Sequence, residues 1–184
     1  MSSANALYPS KQKGVAASFM IEATTPKYSL IERERRWLVD PRQRPDLGNL
    51  DHVLIEDQYI SNTRMRLRRM TDSKTGLSVL KLTKKYECPD PLARPIVTAY
   101  LTEIEFEVFA KLDARSLAKK RYSVEGFSID QFVGALDGLE LAEIERSDEQ
   151  MLRDLQPPAW AAAEVSADLR YQGGNLVIHG IPKD

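Results

Sequence analysis

Charged side chains recur at every second position inside segments that otherwise read as β-strands, and few folds accept that pattern several times over. Glu32, Glu34 and Arg36 alternate within residues 31–39, and Arg64, Arg66 and Arg68 within 63–70. Lys81, Thr83 and Lys85 alternate within 77–86, Lys119 and Arg121 just before Tyr122, and Glu143 and Glu145 within 141–146. Residues i and i+2 of a strand point to the same side of a sheet. Each segment therefore has a charged face, and the residues between are often apolar: Met65, Leu67, Leu80, Leu82, Ala142 and Ile144. One such strand describes a wetted sheet face. Five of them, carrying both signs, describe a charged lumen built for a charged ligand.

The rest of the composition sets bounds on that reading. A chain of 184 residues suits one domain, or one domain with a tail. With 42% hydrophobic residues it has material for a core, and a net charge of −1 argues against a general affinity for nucleic acid. The single cysteine, Cys88 beside Pro89, leaves no internal disulfide and reads as an inert loop thiol in a reducing compartment. No apolar run approaches the ~20 residues of a membrane helix. The stretch 13–23 is broken by Ser18 and ends near Glu22, which is not a signal-peptide pattern. A cytoplasmic location is expected, with no membrane partner and with the oligomeric state left open.

Residues 1–27, rich in Ser, Ala, Lys and Thr, read as a disordered tail, and 28–184 as one folded domain. Strands are expected at 28–39, 53–60, 63–70, 77–86, 94–101, 116–124, 127–133 and 139–146. Tight turns fall at Ser61-Asn62 and Glu125-Gly126. Thr102-Glu103-Ile104-Glu105 is a capping box, so Glu103 and Glu105 belong to a first helical turn rather than to a ligand set. Ser147-Asp148-Glu149-Gln150 reads as a second box, opening a helix through Leu155 that Pro157-Pro158 ends. A short helix and a last strand near 176–178 are expected in the tail. The fold class is α+β: an eight-stranded antiparallel barrel, or tunnel, with a few flanking helices.

On the inward faces the acids are Glu32, Glu34, Asp130, Glu143 and Glu145, and the bases Arg36, Arg64, Arg66, Lys81, Lys85, Arg94, Lys119 and Arg121. Eight bases against five acids leave three positive charges in surplus, which asks for an anion, and guanidinium forks suit phosphate oxygens. Glu-x-Glu pairs from opposite ends of the chain repel one another unless a cation lies between them. An oxygen-only set favours Mg²⁺ or Mn²⁺ over zinc. His52 and His179 belong to neither cluster and read as surface or loop residues. Carboxylates facing a Lys/Arg clamp form the arrangement that phosphoryl transfer requires.

The run Ile31-Glu32-Arg33-Glu34-Arg35-Arg36-Trp37 resembles the N-terminal ExExK signature of the CYTH superfamily, the triphosphate tunnel metalloenzymes. The resemblance continues through Gln58-Tyr59-Ile60, Arg64-x-Arg66, residues 80–85 and Lys119-Lys120-Arg121-Tyr122. It extends to Ile129-Asp130-Gln131-Phe132, Ala142-Glu143-Ile144-Glu145 and Asp168-x-Arg170-Tyr171, covering about residues 28–178 in the family's order. It implies a Mg²⁺- or Mn²⁺-dependent enzyme acting on a triphosphate-bearing small molecule, inorganic triphosphate first. The alternatives are a class IV adenylate cyclase, a thiamine or nucleoside triphosphatase, and a non-catalytic polyphosphate- or nucleotide-binding module. By position it implies metal ligation by Glu32, Glu34, Asp130, Glu143 and Glu145. It implies phosphate contacts from Arg64, Arg66, Lys119 and Arg121, with Lys81 or Lys85 completing the clamp and Arg170 closing the tunnel, and catalytic roles for Glu34, Arg36 and Lys85. Arg94 is expected to join the phosphate contacts from its inward face. The chain departs from the family at Arg36, where the signature has lysine, and at Ile96 and Thr98, where many relatives carry an acidic pair.

Overall fold

The computed structural model describes residues 25–183; residues 1–24 of the expected tail lie outside them. Nine strands form one antiparallel sheet: β1 (Leu30–Val39), β2 (Val53–Ile60), β3 (Met65–Asp72), β4 (Ser78–Lys85), β5 (Ala93–Tyr100), β6 (Ala114–Val124), β7 (Phe127–Val133), β8 (Glu140–Glu145) and β9 (Ala161–Glu164). Three helices flank it, α1 (Glu103–Phe109), α2 (Glu149–Asp154) and α3 (Gly173–His179). Eight strands close in the order β1-β5-β4-β3-β2-β6-β7-β8 and back to β1, while β9 is added to β1 outside the ring. This is the expected α+β barrel with one extra strand.

Strand β1 carries the closure. One stretch, Leu30 to Arg33, pairs with β5; the next, Glu34 to Leu38, pairs with β8; and Trp37 to Val39 also pairs with β9. Each of these pairings fixes which side chains of β1 turn inward. Glu32, Glu34 and Arg36 face the lumen, and the intervening Arg35 and Trp37 face out, where the Arg35 guanidinium stacks on the Trp37 ring at 4.7 Å. The β6–β7 turn is a two-residue link with both positions left-handed, Glu125 at φ 52° and Gly126 at φ 82°. That conformation matches the twist of a hairpin. Glu125 tolerates it with its Oε2 accepting from Trp160 Nε1 at 3.1 Å.

With charge turned inward, much of the apolar mass lies outside the wall. Trp37, Ile129, Ile144, Leu152 and Trp160 pack with Phe127, whose ring meets Trp37 and Trp160 edge-on at 5.9 and 5.5 Å. Leu67 and Leu80 are covered by Phe106 of α1. A further cluster, Leu117, Phe132, Leu141, Tyr171 and Leu176, joins the inner faces of β6, β7 and β8 to the C-terminal segment.

The Thr102 box forms as expected: the Thr102 hydroxyl accepts from Glu105 N at 3.3 Å and Glu105 Oε2 accepts from Thr102 N at 2.8 Å. The second box is displaced by one residue. Asp148, not Ser147, caps α2, accepting from Met151 N at 2.8 Å, while Gln150 turns to Asp154. Residues 176–178, expected as a strand, lie in α3, and the strand of this region is β9. A short apolar run does not by itself separate strand from helix.

Candidate active site

The inward faces enclose a cavity of about 520 Å³ whose walls differ in sign. Glu32 and Glu34 of β1 and Glu143 and Glu145 of β8 stand on neighbouring strands, with Glu34 directly opposite Glu145 and Arg36 opposite Glu143. Arg64, which precedes β3, Arg66 and Arg68 of β3, Lys85 of β4, and Lys119 and Arg121 of β6 supply the cationic part of the lining. Arg94 of β5 pairs in register with Glu32 and completes it.

The two walls reach across to each other. Lys85 binds Glu32, Arg121 binds Glu143, and Arg36 spans Glu34 at 2.6 Å and Glu143 at 3.1 Å. Burial would hold the Glu143 carboxyl neutral, but Lys119, Arg121 and Arg36 outweigh it and keep the group well below the usual carboxylate range. Glu32 is balanced in the same way, burial opposing ionisation and Lys85 prevailing. Glu145 goes the other way. Burial, then the charges of Glu32 and Glu34, raise its carboxyl above 4.5, and it forms no salt bridge among the described residues.

Behind the cationic wall lie two carboxylates with no exposure. Asp130 is clamped by Lys119 and by both Nε and Nη2 of Arg121, each at 2.6 Å from the guanidinium. Asp57 accepts from Arg68 at 2.6 and 2.7 Å and lies 3.6 Å from Arg66 Nε. Burial lowers the Lys119 proton affinity against the pull of Asp130. These acids fix the direction of the cations; buried charges of this kind persist only when paired.

The expected residues separate into three groups. Glu32, Glu34, Arg36, Arg64, Arg66, Lys85, Arg94, Lys119, Arg121, Glu143 and Glu145 all line the one cavity. Asp130 lies behind the wall, facing cations instead of the Glu row. Lys81 and Arg170 are outside the lining: Lys81 lies over the Tyr100 ring at 5.1 Å, and Arg170 pairs with Asp168 at 2.7 Å with its side chain more than half exposed. Lys85, two residues along the same face from Thr83, is therefore the lysine of β4 in the cavity. Neither histidine reaches the lining, whereas Cys88 and Glu87 stand in it, Glu87 bound to Arg64.

Asp57, absent from the sequence reading, and Arg68, read there as part of the β3 charged row but not as a ligand-binding residue, both belong to the site. The signal for Asp57 was present: it shares a face with Ile55 and Tyr59, and a carboxylate in the middle of an otherwise apolar inner face needs a partner. The cavity then holds eight cations against five lining carboxylates and the two behind them. The surplus is one positive charge, less than the sequence suggested.

No group of three His, Cys, Asp or Glu side chains is already drawn around a cation position among the described residues. The reason is visible in the ion pairs, since Glu32, Glu34 and Glu143 each reach for an ammonium or guanidinium. The donor set nevertheless fits a hard divalent ion. It consists of oxygens only, and the repulsion that raises Glu145 is the kind a cation between Glu34 and Glu145 relieves. At the level of the missing acidic pair, Thr98 and Thr83 share a hydroxyl–hydroxyl bond of 3.0 Å.

No family model matches the sequence. An inorganic triphosphatase of Acetivibrio thermocellus is 34% identical over 110 residues, which make up 59% of this chain and 64% of that protein, a little under two thirds of its length. Two solved structures of the protein NE1496 share the fold at a TM-score of 0.53. One, described as a hypothetical protein, is 28% identical and is covered to 99% by 82% of this chain. The other, described as an inorganic triphosphatase, is 26% identical and is covered to 97% by 83% of this chain.

Proposed function

We propose that this chain is a triphosphate tunnel protein of the CYTH superfamily and that it hydrolyses inorganic triphosphate with the help of a divalent cation. The observation that carries the reading is the division of one cavity into a carboxylate row on β1 and β8 and a cationic wall on β3, β4 and β6. A linear anion of three phosphates meets guanidinium and ammonium donors along its length there. The acid row faces the same volume.

Arg66, Arg64, Arg121 and Arg94 bind and orient the phosphates, their forks gripping oxygens two at a time, and Lys119 adds a point charge beside them. Asp57 holds Arg68, and Asp130 holds Lys119 and Arg121, so little reorganisation of these cations is left for the moment of reaction. Glu32, Glu34 and Glu145 would hold Mg²⁺ or Mn²⁺, which supplies charge neutralisation on the transferring phosphate and activation of water. Substrate entry then exchanges partners: Lys85 and Arg121 turn from Glu32 and Glu143 toward phosphate oxygens. Water attacks a terminal phosphorus, the bond to the bridging oxygen breaks, and its electron pair leaves with pyrophosphate. Arg36 keeps its proton throughout, since a guanidinium does not give it up. It contributes charge and position, and the proton of the attacking water is left to the carboxylate row.

The test is phosphate release from triphosphate with and without Mg²⁺ or Mn²⁺. The wild-type chain should release phosphate only with the cation. Glu34→Gln should lose at least roughly 100-fold of the turnover at unchanged folding, since ~2.7 kcal/mol of transition-state stabilisation corresponds to that factor. Full activity in Glu34→Gln, or cation-independent hydrolysis by the wild type, would remove the assignment. Triphosphate binding without any turnover would select the non-catalytic alternative.

A further inference from the structure

Three consecutive residues of the C-terminal segment each touch a different part of the cavity. The Tyr171 carbonyl accepts from Arg36 Nη1 at 3.3 Å, and Gln172 Oε1 accepts from Arg94 Nη1 at 3.1 Å. Gly173 sits on Tyr59 so closely that a Cβ built there would lie 1.9 Å from the Tyr59 hydroxyl and 2.7 Å from the ring carbon bearing it. No side chain fits in that space without moving the tyrosine. Gly173 is not in the left-handed region, so close approach, not backbone freedom, is what requires glycine here.

Tyr59 is in turn the cross-strand partner of Arg66, and both line the cavity. The two side chains are therefore neighbours on the inner face of the β2–β3 pair. Arg66 Nε is buried with no hydrogen bond, at 3.6 Å from Asp57. The guanidinium is thus not locked from behind as Arg68 is, by two short bonds to the same carboxylate. The tyrosine beside it is itself held by the backbone of Gly173.

We propose that Gly173 and Tyr59 are positioning residues for the phosphate clamp: the glycine backbone presses the Tyr59 hydroxyl onto Arg66 and so aims that guanidinium into the cavity. The inference rests on reading the cavity as a triphosphate site. Neither residue touches the reacting atoms, and their effect is on binding. Residues 171–173 thereby tie the C-terminal segment to Arg36 and Arg94 directly and to Arg66 through Tyr59.

The experiment is triphosphate affinity by calorimetry, alongside kcat, KM and melting temperature, for Tyr59→Phe, Gly173→Ala and the double variant. Tyr59→Phe removes only the hydroxyl and creates no crowding. It should weaken triphosphate binding and raise KM about 5- to 10-fold, with kcat within about 2-fold and an unchanged melting temperature, as expected for one lost hydrogen-bonding contact. Gly173→Ala should weaken binding at least as much, and the double variant no more than Gly173→Ala alone, because the displaced hydroxyl has nothing left to contribute. Wild-type affinity in Tyr59→Phe, losses that multiply in the double variant, or a fall in kcat at unchanged KM would each overturn the proposal. A wild-type chain that binds triphosphate without hydrolysing it ends the hydrolase reading and leaves this comparison standing. One that binds no triphosphate overturns both.

Discussion

Glu145 is the carboxylate whose surroundings are least settled without a cation, and its titration carries a sign that can be checked. Its folded proton affinity is raised above 4.5, first by burial and then by Glu32 and Glu34. A carboxyl that holds its proton more tightly in the folded state favours folding when protonated and opposes it when ionised. Its unfavourable contribution is therefore present at neutral pH and fades as pH falls through the raised value. Glu143, Glu32 and Asp57 behave oppositely: lowered in the folded state, they contribute stability above their ordinary range that is lost on acidification. Cation-free Glu145→Gln should melt above the wild type at pH 7, with the gap closing toward pH 4.5. Added Mn²⁺ should raise the wild-type melting temperature and leave the variant's unmoved. A variant that melts lower at pH 7 would place the repulsion elsewhere. The same scale explains why Asp57 escaped the sequence reading while Asp130 did not. Asp130 stands beside Ser128 on a face that already reads as polar, whereas Asp57 sits between Ile55 and Tyr59, where apolar neighbours mask it.

Strands were legible where alternation was strict. β2, β7 and the charged rows of β1, β3, β4, β6 and β8 follow from period two, and the lumen follows from them. The C-terminal region was not legible, for physical reasons. Ala161 to Ala163 carries no alternation, and β9 exists because β1 offers an edge beyond its pairing with β5. Likewise the contact between Gly173 and Tyr59 joins residues far apart in sequence and leaves no local signature. Local chemistry did identify α1. Its Glu105 is spent on the cap and its Glu103 binds Arg69 at 2.9 Å, outside the cavity. Thr102→Ala should cost about 1 kcal/mol of stability in urea unfolding and leave phosphate release unchanged. Lost turnover at retained folding would bring the acids of α1 back into the site.

Across the whole molecule, a chain of net charge −1 encloses a cavity with one positive charge in surplus, and the two walls pair with each other through Lys85–Glu32 and Arg121–Glu143. The barrel makes this workable. Closure leaves the ring without free edges, the covering helices and outer strand take the apolar mass outside, and acids and bases from both ends of the chain converge within about 520 Å³. Everything proposed for substrate and cation depends on that convergence. Anomalous diffraction from crystals soaked with Mn²⁺ and triphosphate tests it most directly. The account predicts a manganese peak ligated by Glu32, Glu34 and Glu145, with phosphate oxygens on Arg66 and Arg121. Manganese bound away from that row, or triphosphate held outside the barrel with the Glu32–Lys85 and Glu143–Arg121 pairs intact, would contradict it.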